Sequence, residues 1–139
     1  MNMLNKIDHV GIAVNSLSQV KELFKTILGL TPTFEEEVPD QKVRVAGFRL
    51  GDSSIEFLEP LSDDSPISNF LKKRGEGLHH ICYEVQDIEE ILAIMKRSGL
   101  RLIDETPRIG AGGKKIAFVH PKSMNGVLVE LSESPSSMP

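Results

Sequence analysis

The sequence predicts an α+β fold in which two β-α-β-β-β modules form a curved, half-open mixed sheet. Three observations predict it. A strand-like apolar run, a helical stripe and a glycine follow one another twice, over 7–29 and again over 78–99. Three short strand candidates follow each helix. The 139 residues, 40% apolar and 26% charged, have the composition of one folded globular domain and are too few for two ordinary-sized ones.

The first strand is read at 7–14, IDHVGIAV, where β-branched and apolar residues predominate. In 17–28, Leu17, Val20, Leu23, Phe24, Ile27 and Leu28 fall on one helical stripe, with Ser16 placed as its N-cap and Gly29 as its stop. Strand candidates follow at 32–38, 42–50 and 53–60, the last two joined by a tight turn at Gly51-Asp52. Residues 61–76 link the modules and include a short helix over 67–74, which Ile67, Phe70 and Leu71 give a face to bury.

The second copy starts at 78–85, LHHICYEV, and continues with a helix over 88–98 bearing Ile88, Ile91, Leu92 and Met95. Asp87 caps that helix, Glu90 completes a capping box, and Gly99 ends it. Strands are expected at 101–105, 115–120 and 126–132, with Asn125-Gly126 turning into the last. One such module leaves a sheet face underused, so both are expected to share a single domain over 1–132. Module one then covers about 6–60 and module two about 77–132, and the tail 133–139 is expected to fray.

A formal charge of −4 gives no support to a general nucleic-acid or anionic-membrane surface. No apolar run approaches the roughly 18 residues of a membrane helix, and Lys6 interrupts the N-terminus before any signal-like stretch. The single cysteine, Cys82, cannot form an internal disulfide, so a cytoplasmic location is expected.

Polar residues recur at equivalent points of otherwise apolar strands. His9 lies in IDHVGI and His80 in LHHICY; Glu56 lies in SIEFLEP and Glu130 in VLVELSE. Alternation sets Glu130 with Leu128, opposite Val127, Val129 and Leu131, and sets Glu56 with Ser54 and Leu58, so each glutamate can face the concavity. A buried carboxylate without compensation is costly, and a divalent cation satisfies it. Two imidazoles and two carboxylates make a mixed nitrogen and oxygen set suited to zinc, cobalt, nickel or manganese, with positions open for substrate oxygens. Only one of His79 and His80 can face the concavity, and the register against His9 favours His80. His120 reads as a turn residue, Glu59 and the cluster Glu35, Glu36 and Glu37 as solvated surface, Tyr83 as packed and Cys82 as inert.

The segment 106–118, TPRIGAGGKKIAF, combines Gly110, Gly112 and Gly113 with Arg108, Lys114 and Lys115, and Lys122 extends the basic patch. It lacks the glycine-lysine-Ser/Thr ending of a P-loop. It reads either as a solvated hairpin or as a site for a phosphate-bearing acyl carrier, bound by Lys114, Lys115 and Lys122.

In their order, IDHVGIAV, LGL, GDSSIEFLEP, GEGLHHICYEV and TPRIGAGGKKIAFVHPKSMNGVLVEL resemble the methylmalonyl-CoA epimerase family of the vicinal oxygen chelate superfamily, over about 6–132. The resemblance implies the vicinal oxygen chelate fold, with His9, Glu56, His80 and Glu130 at metal-ligand positions; in some members glutamine stands where Glu56 does. It also places Glu130 at a proton-transfer position, puts cobalt ahead of zinc, nickel or manganese, and implies a homodimer. The implied reaction interconverts the (R) and (S) forms of methylmalonyl-CoA by removal and return of the C2 proton through an enolate. One departure stands out. Where some members carry a second glutamate base, this chain has Val45, in DQKVRVAGF, so either the partner to Glu130 comes from another strand, with Glu37 or a bound water as candidates, or the assignment differs among subgroups, and no residue is assigned to it. Two alternatives share the paired modules: a glyoxalase-I-like lactoylglutathione lyase and a non-enzymatic small-molecule binding protein.

Overall fold

The computed structural model describes residues 2–133. They contain β1 (Leu4–Ala13), α1 (Leu17–Leu23), β2 (Phe34–Val38), β3 (Val43–Leu50), β4 (Ser53–Pro60), α2 (Pro66–Arg74), β5 (Gly77–Val85), α3 (Ile88–Arg97), β6 (Arg108–Ile109), β7 (Lys115–Val119) and β8 (Val129–Glu133). The order β-α-β-β-β thus occurs twice, with α2 between the copies, as the sequence predicts. Two compact units are present: Val10–His79, and the chain before it together with the chain after it. Their dividing points fall inside β1 and β5, so each module's first strand gives residues to both units. No helix of the described residues is long and apolar enough to cross a membrane.

In the unit Val10–His79 the strand order is β2-β3-β4-β1, with β2-β3 and β3-β4 antiparallel. One face of β3 and β4 packs Ala46, Phe48 and Phe57 against Val14 and Leu17. Ser16 accepts the Gln19 N–H and starts α1 as expected. The expected helix 17–28 changes character, however, becoming a π-helical turn over Phe24–Leu28 that Gly29 closes at φ 70°. The wider turn brings the Phe24 ring to 4.5 Å from Phe48 and 5.3 Å from Phe57. It also departs from the 3.6-residue period, and Leu23, Ile27 and Leu28, read as part of the buried stripe, are exposed.

The register sets Phe34 opposite Gly47 and Gly47 opposite Glu56, on the face of the sheet away from Phe48 and Phe57. A Cβ at Gly47 would collide with the Phe34 ring, so this position admits a ring only because it is glycine.

In the other unit the order is β1-β5-β8-β7-β6. β8 runs parallel to β5 and antiparallel to β7. Val129 and Leu131 of β8 and Ala117 and Val119 of β7 pack with Val85 and with Ile88, Ile91 and Leu92 of α3. Asp87 accepts the Glu90 N–H, and Glu133 accepts the Ile88 N–H at 2.9 Å, so two carboxylates serve the α3 N-terminus. β8 thus includes Glu133, which the sequence reading assigns to the frayed tail 133–139, and the rest of that tail, 134–139, lies outside the described residues. Leu131 is fully buried. Replacing it with alanine is expected to cost about 3 kcal/mol, read from the shift of the urea midpoint at unchanged slope.

The strand expected at 101–105 does not form; only Leu102 bridges to Val119. The Asp104 carboxylate takes the Phe118 N–H at 2.8 Å, a donor that a regular ladder would give to a backbone carbonyl. The partner of β7 is instead β6, with Arg108 opposite Ile116 and Ile109 opposite Lys115.

Candidate metal centre

Glu130 stands opposite Cys82 on β5 and opposite Phe118 on β7. Its neighbours Val129 and Leu131 face α3, so alternation turns Glu130 to the other side of the sheet, as the sequence predicts. His80, two residues before Cys82, shares that side. There the structure brings His9, His80 and Glu130 together. His9 Nε2 lies 3.1 Å from His80 Nε2 and 3.1 Å from Glu130 Oε1, and His80 Nε2 lies 3.0 Å from the same oxygen. All three side chains are more than nine-tenths buried. The imidazoles meet edge to face at 5.2 Å, and the Phe118 ring stands 5.8 Å from His80.

The donor chemistry fits a divalent ion. The Asp8 carboxylate accepts from His9 Nδ1 at 2.8 Å, which puts a proton on Nδ1 and leaves Nε2 as the ring nitrogen that would bind a metal. Nε2 faces another imidazole nitrogen and a carboxylate oxygen, a convergence that a cation satisfies in place of a proton. With edges of 3.0–3.1 Å, the three donor atoms stand close enough together that one divalent ion would be held by all of them.

Charges around the triangle agree. Burial works to raise the Glu130 carboxyl, and hydrogen bonds from His80 and His9 outweigh it, holding the group below the ordinary carboxylate range. Burial likewise opposes ionisation of Asp8, yet its bonds to His9 and Lys114 and the lysine's charge bring it down to about 2. Cys82 adjoins Asp8 and His9, but burial, with the nearby Glu130 charge, pushes its thiol up to about 12. A thiol so protected is inert at neutral pH, in line with the sequence reading.

Glu56 lies on β4 in the unit Val10–His79, buried and sharing a face with Ser54 and Leu58. The His79 ring packs edge-on against Phe70 of α2 at 5.0 Å. Lys114 Nζ reaches Asp8 Oδ1 at 3.1 Å, Lys115 Nζ lies 3.5 Å from Glu89, and Lys122 belongs to the turn that follows His120. His120 accepts the Lys122 N–H, which makes it the turn residue expected. Val45 is buried on β3. Glu37 accepts from Arg44 Nη2 at 2.7 Å on the opposite sheet face, away from Val45, which removes it as a partner acting through that position. The carboxylate directly opposite Val45 is Glu36, which the sequence reading left among surface residues. Asp8 and Lys114 were missed as companions of His9; the adjacency of Asp8 to His9 in IDHVG was the only available signal.

A two-histidine, one-carboxylate triangle in a chain that repeats the order β-α-β-β-β defines a class. The chain matches the glyoxalase/bleomycin resistance protein/dioxygenase superfamily over residues 8–118 and belongs to it, and within that superfamily it belongs among the methylmalonyl-CoA epimerases. The mitochondrial methylmalonyl-CoA epimerase of Dictyostelium discoideum is 44% identical over 94% of this chain and 79% of its own length. The ethylmalonyl-CoA/methylmalonyl-CoA epimerase of Cereibacter sphaeroides is 41% identical over 94% of this chain and 99% of its own. A solved methylmalonyl-CoA epimerase in complex with methylmalonyl-CoA and NH4+ superimposes with a TM-score of 0.91 at 35% identity, over 96% of each chain. A lactoylglutathione lyase of Arabidopsis thaliana is more distant, 24% identical with 42% of its length matched.

Proposed function

We propose that this chain interconverts the (R) and (S) forms of methylmalonyl-CoA by removing and returning the C2 proton, with a divalent ion held by His9, His80, Glu130 and a fourth ligand, Glu56. The observation that carries this reading is the buried triangle of His9 Nε2, His80 Nε2 and Glu130 Oε1, with edges of 3.0–3.1 Å. The same reading includes cobalt as the first ion to try, a cytoplasmic location and a homodimer.

The C2 proton of the substrate is acidified by the thioester and the carboxylate that flank it. When bound, the ion supplies Lewis-acid stabilisation of the negative charge that develops as this proton leaves. Glu130 is the proton carrier on one face of C2. Its Oε1 faces the two imidazoles, and Oε2 is the oxygen assigned to the proton. A carboxylate held below its ordinary range is a weak base, so its rate contribution depends on close placement and on the exclusion of water that its burial provides. Asp8 keeps the His9 proton on Nδ1, and the Phe118 ring covers one edge of His80.

The test is incubation of the cobalt-loaded protein with one epimer of methylmalonyl-CoA in deuterated water. Deuterium is expected at C2 together with the opposite epimer, and the glutathione hemithioacetal of methylglyoxal is expected to go unconverted. Conversion of the hemithioacetal instead would favour the lyase, and tight binding of methylmalonyl-CoA without C2 exchange would favour a binding protein.

A further inference from the structure

The half-buried ion pair behind His9 takes no direct part in the proton chemistry. Asp8 is 7% exposed, and each of its oxygens is engaged: Oδ2 accepts from His9 Nδ1 at 2.8 Å and Oδ1 accepts from Lys114 Nζ at 3.1 Å. Lys114 comes from a turn that glycine alone shapes. Gly112 and Gly113 take φ values of 73° and 74°, the Gly110 N–H donates to the Lys114 carbonyl at 2.9 Å, and the Gly113 N–H donates to the Gly110 carbonyl at 3.1 Å. A Cβ on Gly110 would meet Ile116 Cδ1 at 2.8 Å. The pairing of Ile109 with Lys115 closes the hairpin on its other side. The backbone of Lys114 is thereby fixed, and its side chain bridges from the hairpin to the strand that carries His9.

We infer that Lys114 and Asp8 are positioning residues for His9. The glycine turn presents Lys114, Lys114 orients the Asp8 carboxylate, and Asp8 fixes the tautomer and ring plane of His9 so that Nε2 serves the ion. This relay rests on the reading that His9, His80 and Glu130 hold a divalent ion. It assigns Lys114 to the metal ligand rather than to an acyl-carrier phosphate, and it gives the glycine segment a structural reason to sit beside the site. Partners that orient metal-bound histidines typically govern affinity by about 10- to 100-fold.

The test is titration of the metal-free full chain with cobalt, followed by the absorption of the bound ion, for the wild type, Asp8→Asn, Lys114→Met, Lys114→Arg and the Asp8→Asn/Lys114→Met double variant. Circular dichroism checks folding. Asp8→Asn is expected to weaken cobalt binding about 10- to 100-fold. Lys114→Met is expected to weaken it about three- to tenfold, and Lys114→Arg to restore it to within about twofold, because the ammonium acts only through the carboxylate. For the same reason the double variant should bind no more weakly than Asp8→Asn alone. Lys114 is 31% exposed, so its variants carry the test if Asp8→Asn fails to fold. Unchanged cobalt affinity in folded Lys114→Met overturns the relay, as does a rise in KM for methylmalonyl-CoA with cobalt affinity intact. Additive losses in the double variant also overturn it. A wild type that binds no cobalt overturns both the relay and the metal reading. A wild type with relay-dependent cobalt binding that leaves the C2 proton in place overturns the epimerase reading alone.

Discussion

Glu130→Gln, assayed at saturating metal, is expected to lower kcat for epimerisation by about a hundred- to ten-thousandfold while changing methylmalonyl-CoA binding only a few-fold. The amide keeps the volume of the carboxylate and an oxygen able to face His9 and His80, but it has no basic oxygen for the C2 proton. The defect should therefore lie in the transition state, with KM nearly preserved. Glu130 is buried, and both imidazoles crowd its Oε1, so the measurement needs metal content determined beside the rate. A variant with full metal content and near-normal turnover would exclude Glu130 as a proton carrier.

Stripping the metal is expected to cut epimerisation by about a thousandfold or more, and cobalt should restore it, because Lewis-acid stabilisation of a developing enolate is worth several kcal/mol. His80→Ala should reproduce most of that loss by removing one corner of the triangle. Its metal content should fall in parallel, and added cobalt should rescue it poorly. The measurement is C2 deuterium exchange on protein whose metal content has been determined. Full exchange by metal-free wild type would end the metal-assisted account, whatever the variants do.

Much of the fold is legible in residue order because its signals are local. Strand alternation exposes Glu130 against Val129 and Leu131, and the structure puts the latter two under α3 and the former on the opposite face. Caps are equally local: Ser16 and Asp87 each accept the N–H three residues on. The misreadings arise where a distant partner decides. Asp104 captures the Phe118 N–H and displaces the expected strand at 101–105. The rings of Phe48 and Phe57 accompany the π-helical turn that leaves Ile27 and Leu28 exposed.

The same division runs through the site. By itself the sequence determined that two histidines and two glutamates sit inside apolar strands at repeating places, because period-2 patterning is written in the chain. It also favoured His80 over His79 through that register, and the structure sets His80 against His9 and Glu130 while His79 packs on Phe70. Only the tertiary structure decided that three donor atoms close to within 3.1 Å of one another, and that Lys114 bonds the carboxylate behind His9. The physical reason is range. Alternation and capping act over a few residues, whereas a hydrogen bond between residues 8 and 114 exists only once strand pairing and a glycine-shaped turn have brought them together.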